Sequence, residues 1–244
     1  MIFPVKVPYT VSADMVKYEG EVYNTLPSEM YLSQKRIELA RFASEVSVSL
    51  PDAQQYIDAM AGYLNMRHLK TVEDIACHLE EDIAILHNGE LVSICFCFPS
   101  GFVPAEKIGM NFFDMHVPVA DGDRLRAASQ KVTQLISKEG SCFRRFVWTI
   151  TPLEGLSQHP SIERPIPSSL DQLYFRTETQ TTVGLPNNIC LFFVKVKMTP
   201  LVECWSDEFK RNQIMDSINS MSDAVLDYKN LHHIKSLLNS RGLE

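Results

Sequence analysis

The stretch LYFRTETQTTVGLP, residues 173–186, decides how the chain is read. As a strand, it alternates its side chains between two faces. Tyr174, Arg176, Glu178 and Gln180 fall on one face, and Phe175, Thr177, Thr179 and Thr181 on the other. A strand with one buried face normally carries apolar residues on that face. Here a cation, an anion and an amide stand in a row. The residues alone leave three readings open. The first is an exposed edge strand whose Arg–Glu pair contributes little to stability, although the threonines would then form its inward face. The second is a buried structural ion pair. The third is a polar ligand site, in which the arginine supplies fixed donors, the glutamate holds a cation and the glutamine bridges.

Working outward, ICLFFVKVKM (189–198) is a second strand, joined to the first by a hairpin turn in GLPNN (184–188). FRRFVWTIT (143–151) is a strand upstream, separated by a loop holding Pro152, Pro160, Pro165 and Pro167. Further upstream, DIAILHNGELVSICFCFPSG (82–101) reads as a hairpin, with Asn88-Gly89 as the turn signal between two apolar runs. Residues 29–47 have helical character, with Leu32, Leu39, Phe42, Ala43 and Val46 near one stripe. A second helix starts at Pro51 and Asp52, where Asp52 and Gln55 have capping-box spacing. Its stripe is Ala53, Tyr56, Ile57, Met60, Ala61 and Leu64. Asp123 can cap a third helix, whose stripe is Leu125, Ala128, Val132, Leu135 and Ile136 and which Gly140 can end. Ile214, Ile218, Met221 and Val225, then Leu231, Ile234 and Leu238, mark terminal helices, whereas residues 1–28 are irregular. Two helices, a hairpin, a helical middle, three strands and closing helices predict an α+β fold around an antiparallel sheet.

The 244 residues suffice for a substantial core, and 45% hydrophobic and 22% charged residues are ordinary for a globular protein. A formal net charge of −7 argues against a nucleic-acid or anionic-membrane surface. No apolar run is long enough to span a membrane, and the N-terminal residues lack the apolar core of a secretion signal. The six cysteines, Cys77, Cys95, Cys97, Cys142, Cys190 and Cys204, include no C-x-x-C. They read as small buried hydrophobes in a reducing cytoplasm, the expected compartment.

Nucleotide-binding glycine motifs, a nucleophile elbow, H-E-x-x-H and iron–sulfur cysteine spacings are all absent, as is the C-x-x-C-H of covalent haem. A redox role would therefore need a reductant from elsewhere. Of the seven histidines, two stand apart. His116 sits in the apolar segment NFFDMHVPVA (111–120), and His159 in the Pro-rich loop segment LSQHPS. A satisfied core histidine and a metal ligand are both open for each.

Several segments, in order, resemble the α subunit of the haem-dependent oxidative N-demethylases: FCFPSGFVPAEKIG, MHVPVA, FVWTI, LSQHP, RTETQTTVGLP, VKVKMTPL and DYKNL. The resemblance implies a PAS-like five-stranded antiparallel sheet with flanking helices, holding one non-covalent haem b. It divides the single domain, 1–244, into a helical N-terminal extension (1–75), a haem-binding core (76–202) and C-terminal helices (203–244). It implies oxidation of a small methylated amine such as dimethylamine with O2, with electrons from NADPH through separate flavin and iron–sulfur subunits. His116 would be the haem ligand, with His159 as the alternative. Arg176 would point at dioxygen, Glu178 would hold the amine or relay its proton, and Gln180 and Trp148 would complete the wall. Lys107 and Arg145 would partner the propionates, and Phe98 would pack on the porphyrin. Two positions depart from the family pattern: Val147 stands where Asn is expected, and Asn230 where Gly is expected. The first bears on the substrate rather than the haem. A haem-based gas or redox sensor without catalysis is the alternative function, and a non-haem module binding a polar metabolite is a third.

Overall fold

In the computed structural model, which describes residues 3–241, the chain begins with β1 (Val16–Lys17), α1 (Glu29–Val46), β2 (Ser47–Ser49), α2 (Gln54–Tyr63) and α3 (Val72–Ala76). The middle holds β3 (Asp82–His87), β4 (Glu90–Cys95), α4 (Phe112–Met115), α5 (Asp123–Ala127), α6 (Ser129–Ile136) and β5 (Cys142–Thr151). The long hairpin β6 (Tyr174–Leu185) and β7 (Ile189–Pro200) follows, then α7 (Leu201–Trp205), α8 (Glu208–Asn219), α9 (Asp223–Tyr228) and α10 (His232–Arg241).

The expected α+β class and antiparallel pairing hold, but the sheet has seven strands rather than five, in the order β1-β5-β6-β7-β3-β4-β2. The two additions are edge strands of two and three residues, too short to show a period-two pattern. Both hairpins turn on residues in the left-handed region, Asn88 (φ 51°) with Gly89 (φ 83°) and Asn187 (φ 61°) with Asn188 (φ 57°). This is the backbone of a type I′ turn, in a two-residue loop between β3 and β4 and in the three-residue loop 186–188 between β6 and β7.

Two capping expectations fail. α2 begins at Gln54 behind Ala53, without a side-chain cap, because residues 51–53 form a turn of their own. Asp123 lies inside the first turn of α5 and pairs with Arg126 instead of capping. The third helix is split at Ala128 into α5 and α6.

One sheet face is buried under α1–α3; Tyr56 of α2 stacks on His87 at 4.5 Å and bonds its Nδ1 at 2.9 Å. A second core gathers Trp148, Ile150, Leu173 and Phe175 with α7–α10. The inward face of α1 is Tyr31, Lys35, Glu38 and Val46; of the stripe read from sequence Val46 is buried and Leu39 packs against the core, but Ala43 is exposed. That face carries a buried charge. Lys35 is 0% exposed. Its Nζ donates to the carbonyls of Ala76 (3.2 Å) and Glu81 and lies 3.4 Å from Asp82 Oδ1. Asp82, also 0% exposed, accepts from the backbone N–H groups of Cys97 (3.1 Å) and Phe98 (2.7 Å).

Removing one partner of such a pair leaves an uncompensated charge, which costs about 3–5 kcal/mol. Lys35→Met should lower the unfolding free energy by about that amount in urea titrations. An unchanged midpoint would mean that the pair is not a structural anchor.

Candidate functional site

The sheet face away from α1–α3 opens on a cavity of about 520 Å³. That lies within the roughly 300–1,000 Å³ of small-molecule and cofactor pockets. Strand register builds its floor. Arg145, Val147 and Thr149 of β5 pair with Gln180, Glu178 and Arg176 of β6, so all six side chains share one face. Gln180 and Thr182 pair in turn with Val194 and Phe192 of β7, and Phe192 with Ala84 of β3. The β5–β6 half of the floor is therefore polar and the β7–β3–β4 half apolar. The segment Phe98–Phe102, the α4 region, the N-terminal segment around Tyr9 and Asp14, and Lys229 after α9 complete the walls.

The row read from residues 173–186 faces this cavity. Arg176 is 2% exposed and Glu178 8%. Arg176 Nη1 donates to Glu178 Oε1 and to Ser100 Oγ (2.6 Å), and Nη2 donates to the Phe98 carbonyl (2.8 Å). Ser100 also donates to Glu178 Oε1, and Gln180 Nε2 donates to Oε2 at 2.7 Å. Burial alone would raise the Glu178 carboxyl, but the Arg176 guanidinium and the hydrogen bonds from Ser100, Arg176 and Gln180 outweigh it. The group is held below its usual range, as a carboxylate.

His116 ends α4 beside the same cavity. Its ring stacks on Phe112 at 4.1 Å, and its Nδ1 lies 2.6 Å from the Phe112 carbonyl. A carbonyl only accepts, so Nδ1 carries the proton and Nε2 keeps its lone pair. Burial pushes the imidazole below its ordinary value, and the cations Arg145 and Lys107 push it the same way. The neutral ring with one nitrogen fixed on a backbone oxygen is the form in which histidine binds a metal.

Lys107, Arg145 and Phe98 also line the cavity. Arg145 Nε is buried without a hydrogen-bond partner, as are Gln158 Nε2, Arg176 Nε and Thr182 Oγ1 on the same lining. Unpaired buried polar atoms are costly, and their gathering around one space marks a place where a ligand belongs. Trp148 borders the cavity at the edge of β5, but its indole stacks on Phe175 at 5.7 Å in the second core. His159 is not among the lining residues. It is fully buried, stacked on Phe42 at 4.1 Å, with Nε2 3.4 Å from Glu45 and Nδ1 accepting from the N–H of Ser161. Among the described residues, no cluster of three or more His, Cys, Asp or Glu could hold a metal ion, and Cys95 and Cys97, with Sγ atoms 4.0 Å apart, are both free.

Sequence reasoning missed Ser100, Arg164 and Lys229 as site residues. Lys229 donates from Nζ to the Trp148 carbonyl (2.9 Å) and lies 5.5 Å from the Tyr9 ring centroid. Burial pushes it down to about 8, against the attraction of Glu178. Its signal was its place in DYKNL. Arg164 lies in a Pro-rich loop that carried no signal.

No helix of the described residues is long and apolar enough to cross a membrane. No curated protein matches the chain. The family model described as haem-dependent oxidative N-demethylase, alpha subunit-like, matches residues 41–238, a span that holds the whole β3–β7 sheet, His116 and the Arg176–Gln180 row. The chain belongs to that family.

Proposed function

We propose that this chain is the haem-binding, oxygen-using component of an oxidative N-demethylase acting on a small methylated amine. The observation that carries the reading is a single cavity joining an imidazole with a free Nε2, on His116, to the hydrogen-bonded Arg176–Glu178–Gln180 row.

The residues present fit a b-type haem. The apolar half of the floor suits a porphyrin face, and the absence of C-x-x-C-H suits non-covalent binding. His116 would hold the iron through Nε2. Lys107 and Arg145, the two cations that act on His116, would partner the propionates. Phe98 adds an aromatic wall. Five contiguous strands, β5-β6-β7-β3-β4, support a PAS-like core over 76–202, with 1–75 and 203–244 as its extensions.

When bound, the haem supplies oxygen activation and the oxidation of the methyl group. The chain supplies position and charge. Arg176 is locked by Phe98, Ser100 and Glu178, which leaves its buried Nε as a fixed donor toward incoming dioxygen. Glu178, held ionised, accepts the ammonium of the amine or its proton. Gln180 fixes Oε2 of that carboxylate. The methyl group leaves as formaldehyde. One O2, two electrons and two protons are consumed, giving the demethylated amine and water. The alpha-subunit-like family supports a separate partner subunit, and in this reading NADPH, acting through flavin and iron–sulfur subunits, is the electron source.

The purified chain should show a Soret band, as isolated or after hemin addition. His116→Ala should lose it, while His159→Ala should keep it. A colourless protein that takes up no hemin would overturn the reading. Glu178→Gln should retain the band and lower NADPH- and reductase-dependent formaldehyde release roughly 100-fold or more. Unchanged turnover would leave Glu178 a structural residue.

A further inference from the structure

The charges around the cavity do not suit a bare dialkylammonium ion. Six cationic side chains line it, Lys6, Lys107, Arg145, Arg164, Arg176 and Lys229, against two carboxylates, Asp14 and Glu178. This concentration occurs in a chain of net charge −7. Both carboxylates are already paired, Asp14 with Lys6 at 2.9 Å and Glu178 with Arg176. Among the described residues, the other four cations have no ion-pair partner. Partly desolvated cations without a counter-charge are expensive, and an arriving anion relieves that cost.

Two of the four, Lys107 and Arg145, are those nearest in influence to His116 and suit the propionates of a haem. The remaining two, Arg164 and Lys229, line the same cavity as the Arg176–Glu178 pair, and the Arg176 charge is felt by both. Val147 sits directly opposite Glu178 in the strand register and adds no polar group there. A dimethylammonium ion placed on Glu178 would meet a carboxylate already neutralised by Arg176, with Arg145 and Lys229 close by. A zwitterion meets the same site favourably, with its ammonium on Glu178 and its anionic end on the spare cations.

We propose that the substrate is a secondary amine carrying a carboxylate, an N-methylated amino acid, with Arg164 and Lys229 as the carboxylate-binding residues. The inference rests on the demethylase reading of the same cavity.

Calorimetric titration of the full chain, as purified and hemin-loaded, tests it with N-methylglycine, N-methyl-β-alanine and dimethylamine. At least one N-methyl amino acid should bind roughly 10–100-fold more tightly than dimethylamine, the effect of one or two charge-assisted contacts. Arg164→Gln and Lys229→Gln should each reduce that preference by weakening the binding of the N-methyl amino acid. Lys229→Arg should retain it and serves if the glutamine variant misfolds. The groups facing Lys229 are Glu178 and Arg176 of β6, Arg145 and the Trp148 carbonyl of β5, and the Tyr9 ring. Of these, Lys229 itself loses its charge as pH rises through about 8, so the preference should weaken across that range. Dimethylamine binding as tightly as both amino acids, or a preference that survives both glutamine substitutions, overturns the proposal. Formaldehyde from dimethylamine together with no carboxylate preference would sink this inference and leave the demethylase reading standing. A chain that takes up no hemin would sink the demethylase reading, whatever the titrations show.

Discussion

The buried pair of Lys35 and Asp82 is the constraint on which the cavity depends. Asp82 sits at the start of β3 and spends its two oxygens on the N–H groups of Cys97 and Phe98. This holds the chain as it leaves β4 and carries it across the cavity mouth. The Phe98 carbonyl then reaches Arg176, and Ser100 reaches Glu178. Lys35 makes the arrangement tolerable, since a carboxylate at that depth needs a counter-charge. A charge on the first long helix thus sets the position of groups on β6, far away in sequence.

The row on β6 is held in the opposite sense. Arg176 and Glu178 share one buried region, and their remaining valences go to Ser100, Gln180 and a backbone carbonyl. Such a network rigidifies because every alternative rotamer leaves a charge unsatisfied. The orphaned donors of Arg145, Gln158 and Arg176 stand around it. The floor therefore combines atoms committed to one another with donor atoms left unpaired, in Arg176 and Gln158 within the same side chain, which is how a site is both preorganised and receptive.

Much of this was legible in the sequence where local chemistry dominates. Asn-Gly and Pro-Asn-Asn turns announced the hairpins, and strict alternation put Arg176, Glu178 and Gln180 on one face. β1 and β2 were illegible because two or three residues carry no period, and their pairing comes entirely from partners elsewhere in the chain. The buried face of α1 was misread in part because Lys35 and Glu38 break the apolar pattern, and Lys35 is buried by contacts with residues 76–82 that periodicity cannot see. Trp148 borders the cavity, but its stacking on Phe175 in the second core comes from the β5–β6 register, which the sequence around Trp148 does not announce. Arg164 and Lys229 join the cavity only through the docking of a loop and the last helices, which no local pattern encodes.

The cavity walls are drawn from the segment around Tyr9, from the middle of the chain and from Lys229 after α9. These walls are therefore a composite of distant stretches, none of which fences the space alone. Without the Tyr9 segment or the stretch that carries Lys229, the same sheet face would be a gutter, wet along one side.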